Sequence, residues 1–213
     1  MSADEQIVGV LLAGGLSRRM GGGDKGMLLL AGKPMMAHVR DRLSAQVRPI
    51  VLNANGDPHR FAGLGLPVVA DEIGGFAGPL AGVWAGLRWA EQNAPGARFI
   101  VTAACDTPFF PHDLVAALRT AVGDTYPAIA LAASGGQVHP VFGLWPVALA
   151  GDLEAALRSG IRKVLDWTAR HATFEVSFPQ TRIGGTAIDP FFNANTPAEL
   201  SEAERLLAGE SVT

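Results

Sequence analysis

The chain has 213 residues, 48% of them hydrophobic, and a formal net charge of -3. That is enough apolar material for one domain over residues 1–213, and there is no basic surplus to recruit nucleic acid. The single cysteine, Cys105, excludes an intrachain disulfide. No apolar run approaches a membrane span, and the acidic start Met1-Ser2-Ala3-Asp4-Glu5 is unlike a secretory signal. A cytoplasmic protein is therefore expected. Cys105 reads as a small buried filler, and the five histidines show no metal-ligand spacing.

The first element is a short apolar run over residues 7–12, read as a buried strand. It stops at Leu12-Ala13-Gly14-Gly15 and continues as Leu16-Ser17-Arg18-Arg19-Met20-Gly21-Gly22-Gly23-Asp24-Lys25. Glycines let backbone N–H groups turn toward a ligand. Arg18, Arg19 and Lys25 add charge suited to phosphate oxygens. The loop looks built to hold a polyphosphate. It is not a Walker A loop, because Lys25 is followed by Gly26 rather than Ser or Thr. Its glycine spacing also misses the dinucleotide-binding fingerprint.

Next, Pro34 suits a helix start, and Met35, Met36, Val39 and Leu43 make its apolar stripe. Residues 49–53 read as the second strand and residues 66–70 as the third. In open α/β sheets ligands sit beyond the carboxyl ends of strands. That places Asn53 and Asp71 at a ligand-binding edge, although Asn53 also suits an ordinary turn. A glycine-rich stretch, residues 74–82, closes into a helix carrying Val83, Trp84, Leu87 and Trp89. Gly78 and Gly82 suggest close backbone approach to a ligand or a neighbouring helix.

Residues 98–105 form a nearly continuous apolar strand, as in the middle of a parallel sheet. It runs into Asp106, which suits a magnesium ligand shared with substrate phosphates; the alternative is a cap or turn aspartate before the following helix, residues 113–122. Residues 128–133 and 138–145 read as a strand pair around Ser134-Gly135-Gly136. His139 either lines a second substrate site or caps an edge beside Pro140. Residues 149–157 and 161–167 have helical period, with Arg158, Arg162 and Lys163 between them as solvated charge or as a minor anion contact. Residues 173–178 make a late strand. A strand-like entry then reaches Asn193-Ala194-Asn195, whose alternation puts both asparagines on one face. Thr196, Pro197 and Glu199 begin the last helix with a capping box. Strands and helices alternate, the pattern of an α/β fold with a mostly parallel sheet.

The run Leu12-Ala13-Gly14-Gly15, then Arg19-Met20-Gly21 and Asp24-Lys25, resembles the signature loop of nucleotidyltransferases with a Rossmann-like fold. Within them it is most similar to the molybdenum cofactor guanylyltransferases. Gly78-Pro79-Leu80-Ala81-Gly82, Cys105-Asp106-Thr107-Pro108 and Asn193-Ala194-Asn195-Thr196-Pro197 resemble further motifs of that family, so the likeness spans nearly the whole chain. It implies a three-layer sandwich and transfer of GMP from GTP to molybdenum-bound molybdopterin, with loss of pyrophosphate. It also implies roles. Leu12, Ala13, Gly14 and Gly15 hold base and ribose, and Asn53 and Asp71 contact the nucleoside. Arg19 and Lys25 neutralise the departing phosphates. Asp106 holds Mg2+, with Asn195 as a second metal ligand and Asn193 and His139 toward the second substrate. Proteins that deliver molybdopterin or mature molybdoenzymes are implied partners. The rivals are a CTP-dependent cytidylyltransferase or sugar nucleotidyltransferase, and a silent nucleotide-binding or cofactor-chaperone module. Retention of both Lys25 and Asp106 speaks against the silent module.

Overall fold

A computed structural model of the chain describes residues 6–13, 25–72 and 78–209. Strand β1 (Gln6–Leu12) is followed by a 3-10 turn at Lys25–Met27. A small hairpin comes next, β2 (Leu29–Leu30) and β3 (Lys33–Pro34), and then α1 (Met35–Ser44). Then come β4 (Ile50–Asn53), a 3-10 helix at Pro58–Leu64, β5 (Val68–Val69), α2 (Pro79–Asn93), β6 (Ala97–Ala104) and α3 (Leu114–Val122). The second half holds β7 (Ile129–Ser134), β8 (Gln137–Pro146), α4 (Ala150–Arg158), α5 (Val164–Thr168) and β9 (Thr173–Ser177). A hairpin of β10 (Thr181–Ile183) and β11 (Thr186–Ile188) precedes α6 (Pro197–Ala208).

The main sheet has seven strands in the order β5-β4-β1-β6-β8-β7-β9. β1 pairs parallel with both β4 and β6, whereas β8 runs antiparallel to both its neighbours. The expected mostly parallel α/β sheet is therefore present, with β8 as its reversed strand. That reversal follows from the tight hairpin joining β7 to β8. Gly135 and Gly136 have φ of 55° and 79°, the two positive values a two-residue turn matched to strand twist requires.

Side chains alternate along each strand, so each face of the sheet collects its own core. Leu11, Leu52, Val101 and Ala130 pack with α1 and α3 through Met36, Val39, Leu43, Leu114 and Leu118. Val10, Leu12, Val51, Ile100 and Trp145 pack with α2, α4 and α5 through Val83, Leu87, Leu153 and Trp167. This is a three-layer arrangement. A third, smaller cluster of Leu30, Met35, Phe109, Ile188, Ala194, Ala203 and Leu206 docks α6 and the small hairpins against one end of it.

Several expected elements differ in extent. The third strand is two residues long. The helix expected at 161–167 is a single short turn, α5. The strand-like entry to Asn193 is irregular backbone, because residues 189–195 pair with no strand. Among the described residues no helix is long and apolar enough to cross a membrane.

Candidate active site

The ends of β1, β4 and β6 are level. Leu12 is in register with Asn53 on one side and Ala104 on the other. Beyond the register, Ala13 N donates to Asn53 O at 2.9 Å and Cys105 N donates to Leu12 O at 3.2 Å. The same pairing that builds the sheet thus gathers Leu12, Ala13, Asn53 and Asp106 at one carboxyl edge. Leu12 and Asn53 are buried, while Ala13 and Asp106 are half-exposed.

Gly14, Gly15 and Arg19 lie outside the described residues, as does the side chain of Lys25. The backbone of Lys25 is placed, and it opens the 3-10 turn. Its neighbour Gly26 is buried against the far side of the edge. A Cβ there would stand 2.4 Å from Met36 Cε and 3.2 Å from Cys105 Sγ. The chain therefore brings the Lys25 backbone back toward Cys105-Asp106 by seating a side-chain-free residue against Met36 and Cys105. Cys105 is the buried filler its type suggests.

Asn53 is 2% exposed. Its Nδ2 donates to Val69 O at 3.2 Å and to Asp71 Oδ1 at 3.0 Å. Asn53 and Asp71, both expected at the nucleoside, are thus in direct contact. Asn55 completes the group: its Nδ2 donates to Asp71 Oδ2 at 2.7 Å, and Asp71 N donates to Asn55 Oδ1 at 2.9 Å. Asn55 is not among the residues the sequence motifs single out. Its position two residues after Asn53, at a strand's carboxyl end, was the available signal. Helix α2 closes on this group through Gly82, where a Cβ would meet Asn53 Oδ1 at 2.4 Å and Leu12 Cδ2 at 2.8 Å. The close approach expected of Gly82 is therefore to the strand ends.

Asp106 does not cap α3. That helix begins at Leu114, after Asp113, so the cap role is removed, while Asp106 does lie in the turn that follows β6. Asp106 instead anchors the late segment, because Ala194 N donates to Asp106 O at 3.0 Å. The fully buried Thr107 donates its hydroxyl to Asn193 Oδ1. Ala194 is buried between the partly or fully exposed Asn193 and Asn195, so the two asparagines face away from the core although no strand is present. Glu199 makes the capping contacts around Thr196: Glu199 N donates to Thr196 Oγ1 at 3.2 Å. Its carboxylate reaches past the cap to accept from Asn195 N at 2.8 Å.

On the neighbouring hairpin, His139 Nε2 lies 2.6 Å from Ser134 Oγ, and the His139 ring stacks on Phe191 at 4.4 Å. Burial holds the His139 ring below the ordinary histidine range, against the opposing pull of Asp189. The basic cluster is dispersed. Arg158 pairs with Glu154 one turn back at 2.8 Å, and Arg162 donates to the carbonyls of Leu157 and Ile161, both at 3.0 Å.

Among the described residues, no three His, Cys, Asp or Glu side chains converge as a metal-binding group. Among the described residues the oxygen donors at the edge are the carboxylates of Asp106 and Asp71 and asparagine amide oxygens. Such a hard-oxygen set suits a divalent ion completed by phosphate and water.

A three-layer α/β arrangement, with a glycine-rich and basic stretch of sequence after β1 and a carboxylate after β6, fits a nucleotidyltransferase, and the family description "MobA-like NTP transferase domain" matches residues 9–173. A molybdenum cofactor guanylyltransferase of Bradyrhizobium sp. (strain ORS 278) is 54% identical over 98% of this chain and 97% of its own length. One from Rhodopseudomonas palustris (strain BisB5) is 51% identical over 95% and 94%. The chain belongs to the molybdenum cofactor guanylyltransferase family. The crystal structure of molybdopterin-guanine dinucleotide biosynthesis protein A from Archaeoglobus fulgidus shares the fold, with a TM-score of 0.71 at 24% identity over 95% of this chain and 99% of that one.

Proposed function

We propose that residues 1–213 act as one domain that transfers GMP from GTP to the terminal phosphate of molybdenum-bound molybdopterin and releases pyrophosphate. The observation that carries this is the level edge formed by Leu12, Asn53 and Ala104, with Asp106 just beyond it and the Lys25 backbone returned toward it by Gly26. Family membership supplies the nucleotide and the acceptor.

The acceptor phosphate oxygen forms a bond to the α-phosphorus of GTP. The bond from that phosphorus to the bridging oxygen breaks, and its electron pair leaves on pyrophosphate. The nucleophile is already ionised at neutral pH, so the reaction needs positioning and charge neutralisation more than a general base. The backbone at Leu12, Ala13, Gly14 and Gly15 holds base and ribose. The Asn53–Asn55–Asp71 group holds the nucleoside. Arg19 and Lys25 neutralise the phosphates that depart. Asp106 and Asn195 hold Mg2+, which when bound neutralises phosphate charge. Asn193 and His139 stand on the side of the second substrate. The work belongs in the cytoplasm, where proteins delivering molybdopterin and maturing molybdoenzymes are the natural partners.

Turnover of the purified protein with molybdenum-molybdopterin and either GTP or CTP tests this reading. Product from GTP, with little from CTP, is expected. Preference for CTP would make the protein a cytidylyltransferase, and no turnover with either would leave a silent nucleotide-binding module.

A further inference from the structure

Ser134, His139 and Asp189 form a polar cluster at the same edge that the transfer steps above leave unexplained. Its composition is that of a serine-hydrolase triad, but its wiring is different. In a triad the histidine lies between serine and aspartate. Here Ser134 Oγ lies between the other two, 2.6 Å from His139 Nε2 and 2.8 Å from both Asp189 oxygens. Ser134 is also only 4% exposed. A carboxylate only accepts hydrogen bonds, so the single hydroxyl hydrogen of Ser134 goes to Asp189. The hydrogen between His139 and Ser134 then belongs to Nε2, which fixes the neutral ring as the Nε2–H tautomer.

The cluster is attached to the asparagine segment. Asp189 Oδ1 also accepts from Phe191 N at 2.8 Å. The Phe191 ring stacks on His139 and packs against Phe142 and Phe178 at 4.9 and 5.6 Å. Two and three residues later, Asn193 and Ala194 are tied to Thr107 and Asp106. The irregular run from Asp189 to Asn195 has no strand partner, so these ties hold it: Asp189 on the β7–β8 hairpin at one end, the Asp106 backbone at the other.

We propose that Asp189 is a positioning residue, which through Ser134 and the Phe191 amide sets where Asn193 and Asn195 stand relative to Asp106. This rests on the reading that the two asparagines face the transfer site. Small misplacement of a reacting group is costly, about a hundredfold for a shift near 1 Å.

The test compares Asp189→Ala and Asp189→Asn in the full chain, each alone and with Asn195→Ala, after thermal melts establish that each is folded. Asparagine keeps an oxygen to accept from both Ser134 and the Phe191 amide. We expect Asp189→Ala to lower kcat about tenfold or more with KM for GTP nearly unchanged, on the scale of that misplacement cost. Asp189→Asn should recover most of the loss, and Asp189→Ala should add little once Asn195→Ala is present. As a readout independent of turnover, 15N shifts should show His139 as the Nε2–H tautomer in the parent protein and as a tautomer mixture in Asp189→Ala. Unchanged turnover in Asp189→Ala beside an impaired Asn195→Ala overturns the proposal alone. Full additivity of the two losses overturns it too. Near-normal turnover in both Asn193→Ala and Asn195→Ala overturns the asparagine reading, and a loss in Asp189→Ala that persists there shows it acting elsewhere.

Discussion

Lys25 and Asp106 are about eighty positions apart in sequence, and their chain neighbours Gly26 and Cys105 approach each other. Gly26 offers no side chain, and Met36, with Cys105 beside it, fills the space a Cβ would need. In the proposed reaction, charge at this point would act on the phosphates as they leave, where neutralisation lowers the barrier most. Lys25→Ala is expected to cost about 3 kcal/mol in the transition state, a hundredfold or more in turnover. Its thermal melt should match the parent, since a long cation in a glycine-rich sequence is not expected to pack in a core. Near-parent turnover in the folded variant would remove Lys25 from the reaction. At this scale the placement of Leu12, Asn53, Asp71 and Asp106 at the sheet edge was legible, because each ends or closely follows a strand; the strand expected to lead to Asn193 is absent. Asn55, Thr107 and Asp189 were not legible. Their roles come from hydrogen bonds to residues 16, 86 and 55 positions away, and no local pattern encodes such partners.

At the scale of elements, the site depends on how closely α2 lies against the ends of β1 and β4. Gly86 continues the contact one turn on, since a Cβ there would meet Val10 Cγ2 at 2.7 Å. Two effects oppose each other in Gly82→Ala. Alanine favours the helix by about 1 kcal/mol, whereas overpacking costs about 1–3 kcal/mol. The overpacking wins, because the contacted Asn53 is buried and its amide is held by Val69 and Asp71. The variant should therefore unfold at lower urea concentration and bind GTP more weakly, as a titration of nucleotide would read. A variant as stable as the parent and equal in GTP affinity would mean that α2 yields without disturbing Asn53. The strands and long helices were legible from apolar period and caps. The small hairpins were not. β2–β3 and β10–β11 are two or three residues per strand, too short for alternation to register.

For the whole molecule, the reversed strand β8 joins the parallel half of the sheet to the β7–β9 half. Thr102 is the fully buried polar residue at that seam. Its hydroxyl donates to Val141 O at 2.8 Å and accepts from Trp145 Nε1 at 2.9 Å. Thr102→Val keeps the shape and strands both partners without a hydrogen bond. It should cost about 1–3 kcal/mol, seen as a lower urea midpoint with unchanged slope. An unchanged midpoint would mean the seam is held by apolar packing alone. The alternation of strands and helices made the α/β class legible. Strand order across the sheet was not, because pairing between β6 and β8 joins segments some forty residues apart and periodicity carries no record of neighbours.

The account turns on Asp106, which ends the central strand, caps no helix and holds the asparagine segment through its backbone. Magnesium favours anionic oxygen, and an amide keeps the shape of the side chain while removing its charge. The most direct measurement is turnover of folded Asp106→Asn against magnesium concentration. The account predicts a loss of a hundredfold or more, about 3 kcal/mol, that added magnesium does not restore, with metal-free GTP binding kept or strengthened. Near-parent turnover with an unchanged magnesium dependence would contradict it.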